Sequence, residues 1–297
     1  MAQENINSCI ICNSKSISTF LDCKDHFVTQ TSFSISSCND CGFCFTNPRP
    51  DVGESLKYYD SNAYISHSKT SRGLVNRLFH FARSYTLKSK RRILNKYVSG
   101  KRLLDYGCGT GDFLGTMKIS GWSVIGIEPN ELARTEAINT HGLKIHDEAG
   151  LHGIDHSSLD CISLWHVLEH VYPLEDRIAA FHDKLDANGT LIVALPNMNS
   201  YDAKRYGPYW AAYDVPRHIY HFNPKTIKAL MSKHGFEHIK TKAMIFDSFY
   251  ISLLSEKYKH GSNKFFSAMI LGLISNLAAL GGKRNYSSLI YIFKKSK

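Results

Sequence analysis

The chain has 297 residues, 43% hydrophobic and 21% charged, with ordinary glycine and proline content. This composition excludes a disordered, collagenous or disulfide-framework protein and leaves a globular one of about two domains. Its formal charge of +10 first suggests nucleic acid or a membrane surface as partner. From Lys228 onward, however, twelve Lys/Arg stand against three Asp/Glu, so the excess belongs to the last quarter and the preceding residues are nearly neutral.

The opening Met-Ala-Gln-Glu-Asn-Ile-Asn has neither the basic nor the apolar region of a secretory signal, so a cytoplasmic location is expected. Residues 1–50 form one block that holds six of the eight cysteines and closes on Pro48-Arg49-Pro50. Short runs at 16–20 and 31–36 read as a small antiparallel ribbon. Cys9-x-x-Cys12 and Cys38-x-x-Cys41-Gly42, with 25 residues between the pairs, can set four thiolates tetrahedrally around zinc in a reducing compartment. Such a zinc is structural, since about fifty residues cannot build a sufficient core alone. Cys23 and Cys44 are expected as packing thiols, with Cys44 an alternative ligand. The ribbon's cations are few (Lys15, Lys24, Arg49), which speaks against a phosphate backbone as its partner.

Residues 51–98 are rich in Tyr, Ser and Lys, with Leu74, Leu78 and Phe81 at helical spacing. They predict two linking helices, the second over about 84–98. The remaining unit, 99–297, alternates short apolar strands at 102–106, 123–127, 143–146, 159–164 and 190–195 with helical stretches such as 112–120 and 174–185. That rhythm predicts right-handed βαβ units around a parallel sheet covered on both faces. Two more strands are expected at 237–246 and 287–293, with a helical insertion at about 255–285 between them.

The strongest chemical signal is Leu103-Leu104-Asp105-Tyr106-Gly107-Cys108-Gly109-Thr110-Gly111-Asp112, a strand ending in an acid, then alternating glycines, then a helix. Glycines allow a sharp turn and close approach to a ligand, and the helix start offers unpaired N–H groups. Glu128 ends the next strand, where a carboxylate can accept both ribose hydroxyls. The spacing is G-x-G-x-G, unlike the G-x-G-x-x-G of a dinucleotide site. Asp105 would repel a pyrophosphate but attract an ammonium, so the pattern favours an adenosyl ligand carrying an amino acid.

Asp105-Tyr106-Gly107-Cys108-Gly109-Thr110-Gly111 resembles the first motif of class I S-adenosylmethionine-dependent methyltransferases. The stretch from Leu159 to Val171, with Trp165-His166-Val167-Leu168-Glu169-His170, is similar to that family's fourth-strand motif, and Asn188-Gly189-Thr190-Leu191 to its turn into the fifth strand. The resemblance covers about 85–297. It implies an α/β, Rossmann-like, seven-stranded and mostly parallel sheet with an antiparallel last strand, here behind a small zinc ribbon. It also implies a donor site in which Asp105 holds the methionine amino group. Gly107, Cys108, Gly109, Gly111 and Trp165 would line that donor, and Glu128 would take its ribose. His146, Asp147 and Glu148 are candidates for the adenine. In layout the chain resembles bacterial C-methyltransferases acting on nucleotide-linked keto sugars.

His166, Glu169 and His170 follow the fourth strand, where parallel sheets carry their chemistry, and His166 and His170 fall at helical i, i+4 spacing. In quinone O-methyltransferases a similar Glu-Val-x-Glu-His segment is associated with a divalent metal; His166 stands at the first Glu. A long segment with seven aromatics from Tyr201 to Phe222 reads as a binding loop, its rings walling an apolar or sugar-like acceptor. His166 or His218 is the expected base, and Arg217 is available for an acidic acceptor. Residues 265–282 are uncharged, but Ser267, Ser275, Asn276 and Gly281-Gly282 interrupt or end the run. Lysines flank it, as in a helix near a lipid-like acceptor or a membrane surface; a helix packed on its own domain or on a partner copy is the other reading. The expected function is S-adenosylmethionine-dependent methyl transfer to a hydroxyl or activated carbon of a sugar-, quinone- or lipid-like small molecule. The alternative is a zinc-ribbon nucleic-acid-binding protein with a vestigial donor site.

Overall fold

The computed structural model describes residues 3–59, 74–262, 264–282 and 284–296; the side chains of Leu56 and of 74–81 lie outside the description. The expectation drawn from Leu74, Leu78 and Phe81 falls on those side chains. The N-terminal region contains β1 (Gln3–Glu4), β2 (Ile17–Lys24), β3 (Ser32–Cys38), β4 (Cys44–Thr46), β5 (Arg49–Pro50) and the one-turn helix α1 (Val52–Ser55). The helix α2 (Leu74–Tyr97) then enters the core. It begins ten residues before the predicted second linking helix, because no Gly or Pro interrupts 74–97.

The series continues with β6 (Arg102–Tyr106), α3 (Asp112–Ile119), β7 (Ser123–Ile127), α4 (Glu131–His141), β8 (Ile145–His146) and β9 (Leu159–Trp165). After these come α5 (Leu174–Lys184), β10 (Leu185–Pro196), α6 (Tyr201–Tyr206), β11 (Tyr220–His221) and α7 (Pro224–Lys233). The chain closes with β12 (Phe236–Ala243), α8 (Asp247–His260), α9 (Phe265–Leu280) and β13 (Ser288–Lys295). Seven strands form one sheet in the order β12-β13-β10-β9-β6-β7-β8. β13 alone runs antiparallel to its neighbours, as the resemblance implies for the last strand. The predicted turn at Asn188-Gly189 is a register irregularity inside β10, between Leu185 and Thr190.

Strand alternation divides the core. Leu104, Ile162, Leu164, Leu191 and Val193 face α5 and α7 on one side, while Leu103, Cys161, Ile192 and Ala194 face α2 and α3 on the other. Buried on both faces, these strands read as nearly continuous apolar runs. The order reverses at β6, which lies between β7 and β9, and the crevice beyond the carboxyl ends of such strands is where α/β sheets hold ligands.

The N-terminal hairpin is not closed by its own residues. A second sheet runs β11-β4-β3-β2, so the segment after β10 supplies its fourth strand, with Tyr220 opposite Phe45 and His221 opposite Cys44. Phe43 and Phe45 are buried in the same cluster as Ile219, Tyr220 and Phe222. Thr46 Oγ1 donates to the His218 carbonyl at 2.8 Å. Asp202, 1% exposed, accepts from Trp210 Nε1, Ser275 Oγ and Ser287 Oγ, which ties α6 to α9 and to the start of β13.

Candidate active site

The tip of β6 carries Asp105, 2% exposed, in register with Ser163 of β9. Ser163 Oγ donates to its carboxylate at 2.5 Å. Burial raises the Asp105 carboxyl to about 7, against the lowering effects of Ser163 and Lys90. Gly107 and Cys108 turn back onto the Ile127 carbonyl at 2.7 and 3.1 Å. Gly107, Gly109 and Gly111 all have positive φ, a conformation that strains a side chain. The three face different surroundings. A Cβ on Gly107 would strike Val167, one on Gly111 would strike Ala137 and Leu143, and one on Gly109 meets nothing within 4 Å. Gly109 therefore opens on free space, whereas Gly111 sits against α4.

Glu128 is buried, and burial raises its carboxyl. Gly109 N–H donates to Oε2 at 2.8 Å and Asn130 N–H to Oε1 at 3.0 Å. Each oxygen keeps a lone pair, so two adjacent hydroxyls can be accepted together. Above the β9 tip, Lys90 of α2 lies 4.2 Å from the Trp165 ring centre, and Phe113 meets the same indole edge-on. Burial lowers the Lys90 amine to about 8 in spite of Asp105 and Asp247. The crevice thus offers a carboxylate for an ammonium, a carboxylate for a diol and an amine for a carboxylate.

A cavity of about 1110 Å³ begins beside His166 and Pro196 at the tips of β9 and β10. Its walls come from distant segments: Lys24, His26 and Phe27 of the ribbon, Tyr58 and Tyr59, the loop 209–218, and α8 with its approach. Of the seven loop aromatics only Tyr209 lines it, contrary to the expectation of an aromatic wall from that loop. Tyr206, Trp210 and Tyr213 are buried in a separate apolar cluster, because the loop must cover the ribbon as well as the sheet edge. Other segments supply the rings instead (Phe27, Tyr58, Tyr59, Tyr250, Tyr258).

His166 and His170 do not share a helix. The His166 amide stays bonded to the Ala194 carbonyl at 3.0 Å, its φ is 59°, and only Leu168–His170 form a 3-10 turn. His166 Nε2 lies 3.0 Å from Asp247 Oδ2 and its Nδ1 3.5 Å from Glu169 Oε1. Burial would lower its pKa, but these carboxylates raise it to about 10, making it an imidazolium at neutral pH. Burial and the neighbouring His218 lower His170 to about 4.

His170 Nδ1 lies 3.0 Å from the Arg217 carbonyl, and His218 is held in the same way. Its Nδ1 is 2.9 Å from the Ala212 carbonyl, and a carbonyl only accepts, so Nδ1 holds the proton and Nε2 the lone pair. Nε2 lies 4.0 Å from Glu169 Oε1 and 3.9 Å from Asp214 Oδ2. Arg217 is not available to an acidic acceptor: its guanidinium bonds Asp214 through Nε and Nη2 and lies 3.4 Å from Asp25 of the ribbon. Glu169, His170 and His218 bring ligand atoms within 4.8 Å of one another. The His166 imidazolium beside Glu169, standing where quinone O-methyltransferases have an acid, opposes a second cation in that place.

The four predicted cysteines converge. All four Sγ atoms lie within 4.8 Å of one another, with Cys9–Cys41 and Cys12–Cys38 both at 3.5 Å. Zinc–sulfur bonds of about 2.3 Å imply tetrahedral edges of about 3.8 Å, so the residues fit zinc. The two knuckles repeat one geometry. Asn13 N–H donates to the Cys9 carbonyl and Gly42 N–H to the Cys38 carbonyl, and Asn13 and Gly42 both have positive φ. Cys23 and Cys44 are buried and stand outside the group.

A family model described as a methyltransferase domain matches residues 78–241. The chain belongs to that family. As a methyltransferase it has the fold of the S-adenosylmethionine-dependent enzymes. It is similar to such an enzyme from Archaeoglobus fulgidus, 21% identical over 72% of this chain and 94% of that one, with a TM-score of 0.50. The magnesium protoporphyrin IX methyltransferase of Synechocystis PCC 6803, with bound S-adenosylhomocysteine, is 15% identical over 77% and 90%, TM-score 0.51. The 1,6-didemethyltoxoflavin-N1-methyltransferase of Burkholderia thailandensis is 12% identical over 92% and 100%, TM-score 0.51.

Sequence reasoning missed several residues of this methyltransferase's site. Ser163 left a signal, a lone hydroxyl in a buried strand, directly opposite Asp105 in the register. Lys90 left none in a lysine-rich helix, and neither did Asp247 or the ribbon's Asp25 and His26, whose roles come from contacts with remote segments.

Proposed function

We propose that this methyltransferase carries the methyl group of S-adenosylmethionine to a small-molecule acceptor, a hydroxyl or activated carbon of a sugar-, quinone- or lipid-like compound, in the cavity beside His218. In this reading Asp105 binds the donor's ammonium, Glu128 its ribose hydroxyls and Lys90 its carboxylate. Gly107, Cys108, Gly109 and Trp165 line the methionine and adenosine, and Gly111 shapes the loop around them. The donor's sulfonium supplies an already electrophilic methyl group, so the chain's task is in-line positioning and removal of one proton.

His218 Nε2 takes that proton, and Glu169 and Asp214 stabilise the resulting imidazolium. The observation that carries this choice is the Nδ1 bond to the Ala212 carbonyl, which leaves the Nε2 lone pair free beside the cavity. His170 keeps a lone pair in the same way, but burial lowers its pKa to about 4 and makes it a poor base. His166 is a weaker candidate because Asp247 and Glu169 already hold it protonated; it orients Glu169 instead. Cys9, Cys12, Cys38 and Cys41 would hold a structural zinc that fixes the ribbon wall of the cavity. Four reduced thiolates fit a cytoplasmic setting, with contact to a membrane surface through 255–285.

Calorimetry with S-adenosylmethionine, followed by transfer of a labelled methyl from it into a small-molecule cell extract, tests the reading. Saturable donor binding and label in an organic product are expected. Absence of donor binding by the zinc-loaded chain would sink it.

A further inference from the structure

Helix α9 is built inside out. The residues it turns toward the protein are small: Ala268, Gly272, Ser275 and Ala279 are its buried positions. A Cβ on Gly272 would come within 2.9 Å of the Phe249 backbone, so only glycine permits this approach to α8. Ser275 Oγ reaches Asp202 at 2.6 Å and Asn276 Nδ2 the Ile245 carbonyl at 2.8 Å. The large residues point outward. Phe266, Ile270, Leu273, Leu277 and Leu280 recur at helical spacing along one face and are 51–82% exposed. A helix of a globular protein normally buries such a stripe, and an apolar patch of this kind marks an interaction surface.

Charge identifies the occupant. No charged residue lies within 265–280, while Lys257, Lys259, Lys264 and Arg284, all exposed, flank it. Of the three acids beyond Lys228, Glu237 is exposed on β12; of the two in α8, the helix packed on α9, Glu256 is buried and accepts from Tyr206 and Ser267, and Asp247 is paired with His166. Neither faces outward to receive a cation. A second copy laid on this face would bring like charges together at its ends, whereas an anionic lipid surface satisfies both the stripe and the cations. Among the described residues no helix is long and apolar enough to cross a membrane.

We propose that α9 docks the protein on an anionic lipid bilayer, with the Phe266–Leu280 stripe in the interface and the flanking cations at the headgroups. A consequence follows that rests on the function proposed above. The cavity is lined at one end by Lys257, Lys259 and Gly261, four residues before α9 begins, so docking sets this end of the cavity beside the headgroup plane. An acceptor carried on a membrane lipid could then enter without leaving the bilayer.

Sedimentation with vesicles of phosphatidylglycerol and phosphatidylcholine, compared with pure phosphatidylcholine, tests the docking on the full zinc-loaded chain. Binding to the anionic vesicles is expected, weakened by salt and reduced at least tenfold by Leu273→Glu with Leu277→Glu, while affinity for S-adenosylmethionine stays unchanged. Should that variant fail to fold, Phe266→Trp gives a second readout: brominated acyl chains in anionic vesicles should quench the new indole. Equal binding to neutral vesicles, no binding to either, or no quenching overturns the proposal. So does a concentration-dependent dimer that the glutamate substitutions dissociate, which would assign the face to a second copy. Donor affinity is read separately, so loss of the methyl-transfer reading and loss of the docking are distinguishable.

Discussion

Asp105, the glycine loop and Glu128 belong to one βαβ unit, and their polar contacts come from that unit and from the elements beside it, β8, β9, α2 and the start of α4. The cavity beside His218 is assembled differently, from walls that span Lys24 to Gly261. A local unit tolerates change elsewhere, because its geometry is fixed by strand register and by backbone turns at Gly107 and Gly109. A cavity assembled from remote segments depends on whatever holds those segments together. Here the ties are β11 completing the ribbon sheet, Arg217 joining Asp214 to Asp25, and the four cysteines.

The largest effect should come from breaking the ribbon. Stripping the proposed zinc, or Cys9→Ser with Cys12→Ser, should remove folding free energy of about 10 kcal/mol or more, as for a structural site of this kind. Methyl transfer should vanish while calorimetry still detects donor binding. If donor binding vanishes in parallel, the two regions are one cooperative unit and the contrast fails. Next, His218→Ala should lower kcat by about 10²–10⁴-fold, the usual worth of a general base, with donor affinity unaltered; a change confined to KM would make His218 a wall and not a base.

Glu128→Ala should weaken the donor by about 1.5–3 kcal/mol, the range for hydrogen bonds to a charged group, as read by calorimetry. It should not alter how any acceptor is selected. The smallest effect concerns pH. Burial places the free Asp105 carboxyl at about 7, and a bound ammonium requires it ionised. Donor affinity should therefore be full above pH 7 and fall by about tenfold per unit as the pH drops below it. Asp105→Asn should be weak at every pH; a variant that still follows the wild-type slope would remove Asp105 from that role.

The parts of the fold and site that were legible in the sequence share one property, short range. Strands, the glycine turn, Glu128 and both cysteine knuckles carry their signal within a dozen residues or in a repeated spacing. His166 shows the limit. Its i, i+4 relation to His170 reads as a helix face, yet its amide remains in the sheet, bonded to a β10 carbonyl that local pattern cannot reveal. The loop from Tyr201 to Phe222 shows another. Its aromatics announce burial, but whether they line a cavity or fill a core depends on the ribbon packed against them.

By itself, then, the sequence determined the α/β class, the motifs of the proposed donor site and the four candidate zinc ligands, since hydrogen-bond periodicity and glycine stereochemistry act between near neighbours. Tertiary structure alone decided how His166, His170 and His218 are each paired, that Arg217 is already paired, and that α9 turns its small residues inward. Each of those outcomes rests on a contact between residues remote in the chain. The positive charge after Lys228 changes meaning for the same reason: Lys233 is paired with Glu175 and Lys294 and Lys295 bond β10 carbonyls, while Lys257, Lys259, Lys264 and Arg284 flank an exposed apolar helix.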